Sequence, residues 1–348
     1  RARRPDVQLA YTFFSPSAES FARALPVDFA DYLPFDTARG ARSALDALRP
    51  TALVYAKLDL WPILTAEAHR RGVRLGLVSG TVSPGSSRRG ALAQALLRPS
   101  YALLDAAGAI GADDASRLVA LGVHREALRV TGDTRYDQVV LRARRVDLAS
   151  ALLAPLRSGR PTLVAGSTWP ADERVLLPAW EVVRRVVPGA RLIIAPHEPT
   201  VTHLAPIEAW GAARGIDVAR LGSADQGAAE VILVDRVGVL GDLYALATAA
   251  FVGGGFHAAG LHSVLEPAAF GAPVAFGPRH ANARDAGLLL AVGGGATAAG
   301  AEALARLLER WLGPDDAGRL AGSRARALVE EGVGAAERSF ALVESLLS

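Results

Sequence analysis

Three stretches of this chain hold residue types able to cradle an anion and accept hydrogen bonds from hydroxyls. The first is Gly166-Ser167-Thr168. Small residues let a ligand approach the backbone, and free amides at the start of a following helix, reinforced by the macrodipole, suit a phosphate. The same residues also make an ordinary Ser/Thr cap. The second is Pro196-His197-Glu198-Pro199, whose imidazole can donate to a phosphate or reach a sugar hydroxyl; a plain turn with a surface histidine reads the same way. The third is the richest. Phe251 to Phe256 contains three successive glycines, Gly260 to Pro267 carries His262, Ser263 and Glu266, and Gly271 to Pro278 follows. Glycines clear side chains from a ligand's path, and a helix start at Ser263 offers amides to a phosphate. Glu266, an acceptor only when ionised, can take both hydroxyls of a ribose, and a buried Glu needs such a partner.

Other chemistries find little material. With no cysteine, disulfide frameworks, thiolate nucleophiles and Cys-ligated zinc are excluded. The seven histidines (69, 124, 197, 203, 257, 262 and 280) show no His-Glu-x-x-His spacing, and no Asp-x-Asp triplet occurs, so neither a metal nor another cofactor is expected.

These motifs are useful only if elements of structure present them. Short apolar runs predict buried parallel strands at residues 7–14, 51–56, 74–79, 161–166, 191–195, 230–234, 249–253 and 273–276. Helical patterns lie between them at 39–48, 61–71, 113–121, 138–156, 172–186, 200–214 and 241–247. Three more close the chain at 301–312, 315–331 and 335–347. Such alternation predicts an α/β fold of two Rossmann-like domains facing a cleft. The polar turn Arg157-Ser158-Gly159-Arg160-Pro161 places the boundary between residues 155 and 156, with the terminal helices returning across the cleft. In such a fold ligands bind beyond the carboxyl ends of the strands, and all three motifs fall just after predicted strands.

Charge is uneven. Residues 1–150 hold 21 basic and 15 acidic side chains (+6), and residues 151–348 hold 17 and 20 (−3). A basic first half suits an anionic partner, although scatter in an Arg-rich chain gives the same numbers. Lys57 is the only lysine. The longest uncharged window towards the C-terminus, residues 286–301, is broken by three glycines and is shorter than the ~20 apolar residues that span a bilayer.

Several blocks, in order, carry a family resemblance. They are Tyr32 to Asp36, Leu60-Trp61-Pro62, Asp113 to Leu118 with Leu121-Gly122, Thr131 to Asp137, Gly166-Ser167-Thr168, Pro196-His197, Gly238 with Leu240 and Tyr244, and the glycine block ending Leu265-Glu266-Pro267. With them the chain resembles the 3-deoxy-D-manno-octulosonate (Kdo) transferases of lipopolysaccharide biosynthesis, glycosyltransferases of the GT-B fold. The resemblance implies inverting transfer of Kdo from CMP-Kdo to a lipid A precursor, lipid IVA, without a metal, at the cytoplasmic face of the inner membrane. Residues 1–155 would be the acceptor domain and 156–348 the donor domain. The matched donor positions are Gly166, Ser167, Thr168, Pro196, His197, Val237, Gly238, Val239, Leu240, Ser263, Val264, Leu265 and Glu266. Lys57 and Arg135 fall where the family places groups that stabilise the transition state.

The chain departs from the pattern in four places. The family's base, a Glu in a Gly-Glu pair on the first strand–helix unit, precedes the segment matching Tyr11–Ser20, so an N-terminal truncation of that unit is expected. Many members carry Glu where Lys57 stands; Ser263 replaces an Asn, and Val239 replaces a Glu. Two other readings share the same glycine and Glu block: a GT-B enzyme acting on UDP-sugars (a glycosyltransferase or a UDP-sugar 2-epimerase), and an inactive nucleotide-binding paralogue.

Overall fold

A computed structural model describes residues 3–83 and 85–348. The chain divides into two compact units. The first contains β1 (Ala10–Phe13), α1 (Glu19–Ala24), β2 (Phe29–Tyr32), α2 (Ala38–Leu48), β3 (Ala52–Ala56), α3 (Pro62–Arg70), β4 (Arg74–Gly80), α4 (Ala91–Ala102), β5 (Ala106–Ala109), α5 (Ala112–Leu121) and β6 (Leu128–Val130). The second begins with α6 (Thr134–Arg145), β7 (Thr162–Thr168), α7 (Pro170–Val186), β8 (Arg191–Pro196), α8 (Val201–Arg214), β9 (Val218–Arg220) and β10 (Val231–Leu233). It continues through α9 (Leu240–Leu243), β11 (Ala249–Val252), α10 (Leu265–Ala269), β12 (Val274–Phe276), α11 (Arg284–Val292), β13 (Gly295–Thr297), α12 (Ala301–Leu312) and α13 (Ala317–Glu331). The chain then returns to the first unit with α14 (Ala335–Glu344).

Among the described residues every strand pair is parallel. The first unit holds a β3-β4-β5-β6 sheet and a separate β1-β2 pair, and the second a sheet ordered β13-β12-β11-β7-β8-β10-β9. Strands β7, β8, β10 and β11 read as unbroken apolar runs because both faces of this sheet are covered. Leu163, Leu192 and Phe251 pack on one face with Trp180 of α7 and Leu308 of α12. Val164, Ile193 and Ala250 pack on the other with Leu153, Leu156 and Tyr244. Alternate residues of a strand point to opposite faces, so neighbours in one run feed two cores.

The division differs from the expected one at residues 155/156. The first unit ends at Thr134 and takes back Gly334–Ser348, while the second is Arg135–Val333. Packing is the reason. Tyr136 and Val140 of α6 are buried among Val264, Leu265 and Val329 of the second unit. Beyond α14, the side chain of Leu346 covers Gly76 of β4 so closely that a β-carbon there would lie 2.6 Å from it. The expected helix over 138–156 is shorter and starts earlier, as α6. Its continuation is broken at Asp147, whose carboxylate accepts from the amide of Ala149 at 2.8 Å to close a turn. Among the described residues no helix is long and apolar enough to cross a membrane.

In the second sheet the chain runs outward from β7 in both directions, to β8 on one side and β11 on the other. Crevices at such switch points, beyond the carboxyl ends of the strands, are where ligands bind in open α/β sheets. Gly166-Ser167-Thr168 ends β7, and Gly253 follows β11.

Candidate functional site

At this switch point the two strand ends touch backbone to backbone. The amide of Gly253 donates to the carbonyl of Gly166 at 2.9 Å. A β-carbon on Gly253 would lie 2.2 Å from the carbonyl oxygen of Ser167, and one on Gly166 would lie 2.1 Å from the Tyr244 hydroxyl and 2.8 Å from the Leu240 side chain. Ser167 adopts φ +54°, a region non-glycine residues seldom occupy, and the β7–β8 register shifts there. Strain of this kind gathers at ligand sites. Gly253→Ala is therefore expected to cost about 3 kcal/mol, because the clashing partner is backbone that cannot rotate away. Urea unfolding checks this, and a loss below about 1 kcal/mol would show the strand ends free to part.

Asp172, in the first turn of α7, is fully buried. Its Oδ2 accepts from the amides of Trp169 (2.9 Å) and Gly254 (2.8 Å), and its Oδ1 from that of Phe256 (3.0 Å). One carboxylate thus caps a helix and ties down the glycine loop. The next residue, Glu173, is also buried; it accepts from the Thr168 hydroxyl at 2.8 Å and faces His203 Nε2 at 2.9 Å, and burial holds its carboxyl pKa above the ordinary value. The expectation that the α7 start holds a phosphate meets a physical obstacle: two buried acidic groups already occupy that turn, and the Thr168 hydroxyl is spent on one of them. Sequence reading missed Asp172 because a carboxylate at this position looks like an ordinary cap.

Four rings stack beside this turn. Trp169 lies 4.3 Å from His257 at 7° and 4.7 Å from His197, and His197 lies 4.5 Å from His262 between centroids. The amide of His197 donates to the Thr168 carbonyl at 2.9 Å. Trp169 donates through Nε1 to His262 Nε2 at 3.1 Å, so that nitrogen is an acceptor and the proton of the neutral ring sits on Nδ1. Burial, then the neighbouring His197, hold the His262 pKa below its ordinary 6.5. The folded state therefore stays neutral where the unfolded chain would take a proton. This contribution to stability is complete above pH 6.5 and is lost as the pH falls below it. The fluorescence difference between the wild type and Trp169→Phe should titrate with a midpoint below 6.5; a midpoint at or above that value contradicts the neutral acceptor.

Glu266 lies in the first turn of α10, half-buried. Arg142 of α6 reaches it with Nη1 at 3.8 Å from Oε1, and reaches Asp242 of α9 with Nη2 at 3.2 Å from Oδ1. The guanidinium rests on Gly241, where a β-carbon would lie 2.3 Å from Cζ. Buried Tyr244 has its hydroxyl pKa pushed up by desolvation and then by the Glu266 charge. Val264 and Leu265 are core residues, so only their backbone can face a ligand, whereas Ser263 is exposed. The leading amides of α10 have no intrahelical acceptor. Val237 is exposed and Gly238 makes its turn at φ +89°.

The structure thus brings Gly166, Leu240 and Glu266 to one neighbourhood through Tyr244, Gly241 and Arg142, and His197 to His262 beside Trp169. Arg142 escaped sequence reading because nothing local marks an arginine whose partner is 100 residues away. Arg135 lies in the second unit, 2.9 Å from buried Asp285, which also accepts from the Tyr136 hydroxyl at 3.0 Å. Lys57 lies in the first unit, exposed in a turn at φ +60° with its amide donating to the Val78 carbonyl.

Comparison with known proteins bears on this arrangement. Residues 1–138 match the family model described as 3-deoxy-D-manno-octulosonic-acid transferase (kdotransferase). A curated 3-deoxy-D-manno-octulosonic acid transferase of Bordetella pertussis is 29% identical over 73% of this chain and 59% of its own length. One from Haemophilus influenzae is 25% identical over 99% and 81%. The chain spans about three-fifths of the length of the Bordetella relative. A UDP-GlcNAc 2-epimerase from Neisseria meningitidis, bound to UDP-GlcNAc, has a similar fold: TM-score 0.59 at 13% identity, over 94% of this chain and 91% of that one. That likeness concerns the fold alone, two parallel α/β units of the GT-B type. Taken with the ordered blocks from Tyr32 to Pro267, the match over residues 1–138 and these relatives make the chain similar to the 3-deoxy-D-manno-octulosonic acid transferases.

Proposed function

We propose that this protein is an inverting glycosyltransferase that moves Kdo from CMP-Kdo to a lipid A precursor, lipid IVA, at the cytoplasmic face of the inner membrane. Similarity to the 3-deoxy-D-manno-octulosonic acid transferases supports the sugar, and the basic first half suits an acceptor bearing phosphates. The observation that carries the reading is the switch point of the second sheet, where glycine-lined strand ends meet a carboxylate, Glu266, in the first turn of a helix.

In this reading Glu266 accepts from the ribose hydroxyls of the donor. An acceptor hydroxyl bonds to the anomeric carbon of Kdo from the face opposite the phosphate and gives its proton to a general base, while the bond from that carbon to a phosphate oxygen breaks and charge develops on the departing CMP. Preorganised donors aimed at that charge lower the barrier. The backbone from Ser263 to Glu266 supplies amides, His197 supplies an imidazole, and the Val237–Leu240 turn lies along the nucleoside. CMP leaves with one phosphate, so less charge needs neutralising than with a diphosphate. Lys57 and Arg135 are assigned to stabilising the transition state. The α7 start, filled by Asp172, serves to hold the glycine loop in shape rather than to bind phosphate.

Calorimetric titration with CMP, UMP and UDP tests the assignment. Binding of CMP with little response to UDP supports it; binding of UDP with CMP inert would transfer the protein to the UDP-sugar enzymes.

A further inference from the structure

The turn that carries His197 is held from both sides. The amide of His197 donates to the Thr168 carbonyl at 2.9 Å, and the carbonyl of the next residue, Glu198, accepts from Nδ1 of His203 at 3.0 Å. These two anchors are linked. The Thr168 hydroxyl donates to Glu173 Oε1 at 2.8 Å, and the same oxygen faces His203 Nε2 at 2.9 Å. One carboxyl in the first turn of α7 thus joins the end of β7 to the first turn of α8, and the dipeptide His197-Glu198 closes the ring. Thr168 and Glu173 are buried, and the His203 side chain is only 9% exposed.

The partners fix the protons of this ring. A carbonyl oxygen only accepts, so Nδ1 of His203 carries a hydrogen. Nε2 and Oε1 then need one further proton between them, because otherwise a nitrogen lone pair would face a carboxylate oxygen at 2.9 Å. Whichever atom holds that proton, the pair has no net charge. Glu173 can therefore be buried beside Asp172, whose charge three amides already compensate; a second net charge in this turn would lack such donors. A hydrogen bond weakens steeply as its angle closes, so a small rotation of the 197–198 turn would spoil what the His197 ring can reach.

We infer that Glu173 and His203 are a positioning pair, which fixes the His197 turn so that its imidazole can donate to the phosphate of the donor. The inference rests on the reading in which His197 makes that contact. It extends the site to two side chains that lie behind the turn and act only through it, as groups supporting a binding residue must.

CMP and cytidine differ by the phosphate alone, so the ratio of their affinities, from calorimetric titration, reports the phosphate contacts. His197→Ala should cut that ratio about tenfold, the size expected for a hydrogen bond to a charged group. Glu173→Gln and His203→Gln should each cut it by about fivefold, with cytidine affinity changed less than about twofold, because each breaks one link of the ring. Neither should lower the ratio further when added to His197→Ala, since coupled residues are not additive. If His197→Ala cuts the ratio while both Gln variants leave it unchanged, or weaken the two ligands equally, the pair has no positioning role and the phosphate contact stands. If His197→Ala leaves the ratio unchanged, His197 does not touch the phosphate and this inference falls with it. Absence of CMP binding by the wild type overturns the donor reading itself. Melting curves accompany each titration because both positions are buried. Should a variant fail to fold, nitrogen-15 NMR of the His203 ring in the wild type still decides: Nδ1 should be protonated, and an unprotonated Nδ1 overturns the inference.

Discussion

Asp172→Ala is expected to destabilise the second unit by about 4 kcal/mol. The buried carboxylate accepts from three amides at once, and its removal leaves all three without a partner. An unpaired buried donor costs about 1–3 kcal/mol, and the three losses do not add fully because the loop can relax towards water. Removing the charge also relieves its own desolvation, but three amide donors and a helix N-terminus already compensate that cost. At roughly 2–4 °C per kcal/mol for a unit of this size, the melting temperature should fall by about 8–16 °C. Asp172→Asn keeps one acceptor oxygen and should fall between. Scanning calorimetry decides the matter: a loss under about 1 kcal/mol would mean that the glycine loop does not depend on this carboxylate.

Glu266→Ala should behave in the opposite way, with a large loss of ligand and little loss of fold. Its one ion pair among the described residues, to Arg142 at 3.8 Å, is loose and partly exposed, and pairs of that kind contribute at most about 1 kcal/mol. Two ribose hydroxyls donating to an ionised carboxylate contribute about 3 kcal/mol together, so the dissociation constant for CMP should rise roughly a hundredfold. Glu266→Gln should lie between. Calorimetry alongside a melting curve separates the outcomes. Unchanged CMP affinity removes Glu266 from the site, and a melting temperature that falls as far as in Asp172→Ala would make Glu266 a structural residue.

The contrast between these two acids shows how legible the site was. Glu266 could be read from its neighbours, because glycines, a short helix and a carboxylate follow one another within about twenty residues. Asp172 could not, because its function depends on a loop 82 residues away. The strands divide in the same way. β7, β8 and β11 announce themselves as apolar runs because both faces are covered. β5 is Ala106-Ala107-Gly108-Ala109, whose small side chains suit close packing: a β-carbon on Gly108 would lie 2.5 Å from the Thr131 hydroxyl. Such a strand has no pattern to detect. β2, β6, β9 and β13 are only three or four residues long, and α1, α4 and α11 likewise escaped reading.

By itself the sequence determined the class of fold, the strand ends that carry the glycines, and the resemblance to the 3-deoxy-D-manno-octulosonic acid transferases, because all three are written in local runs and their order. Tertiary structure alone decided that α6 belongs to the second unit, that the start of α7 is filled by its own acid, and that Arg142, Asp242 and Glu266 share one neighbourhood. The physical reason is range. Backbone propensity and apolar period act over a few residues, whereas a buried charge takes whichever partner the closed chain brings within reach of a hydrogen bond.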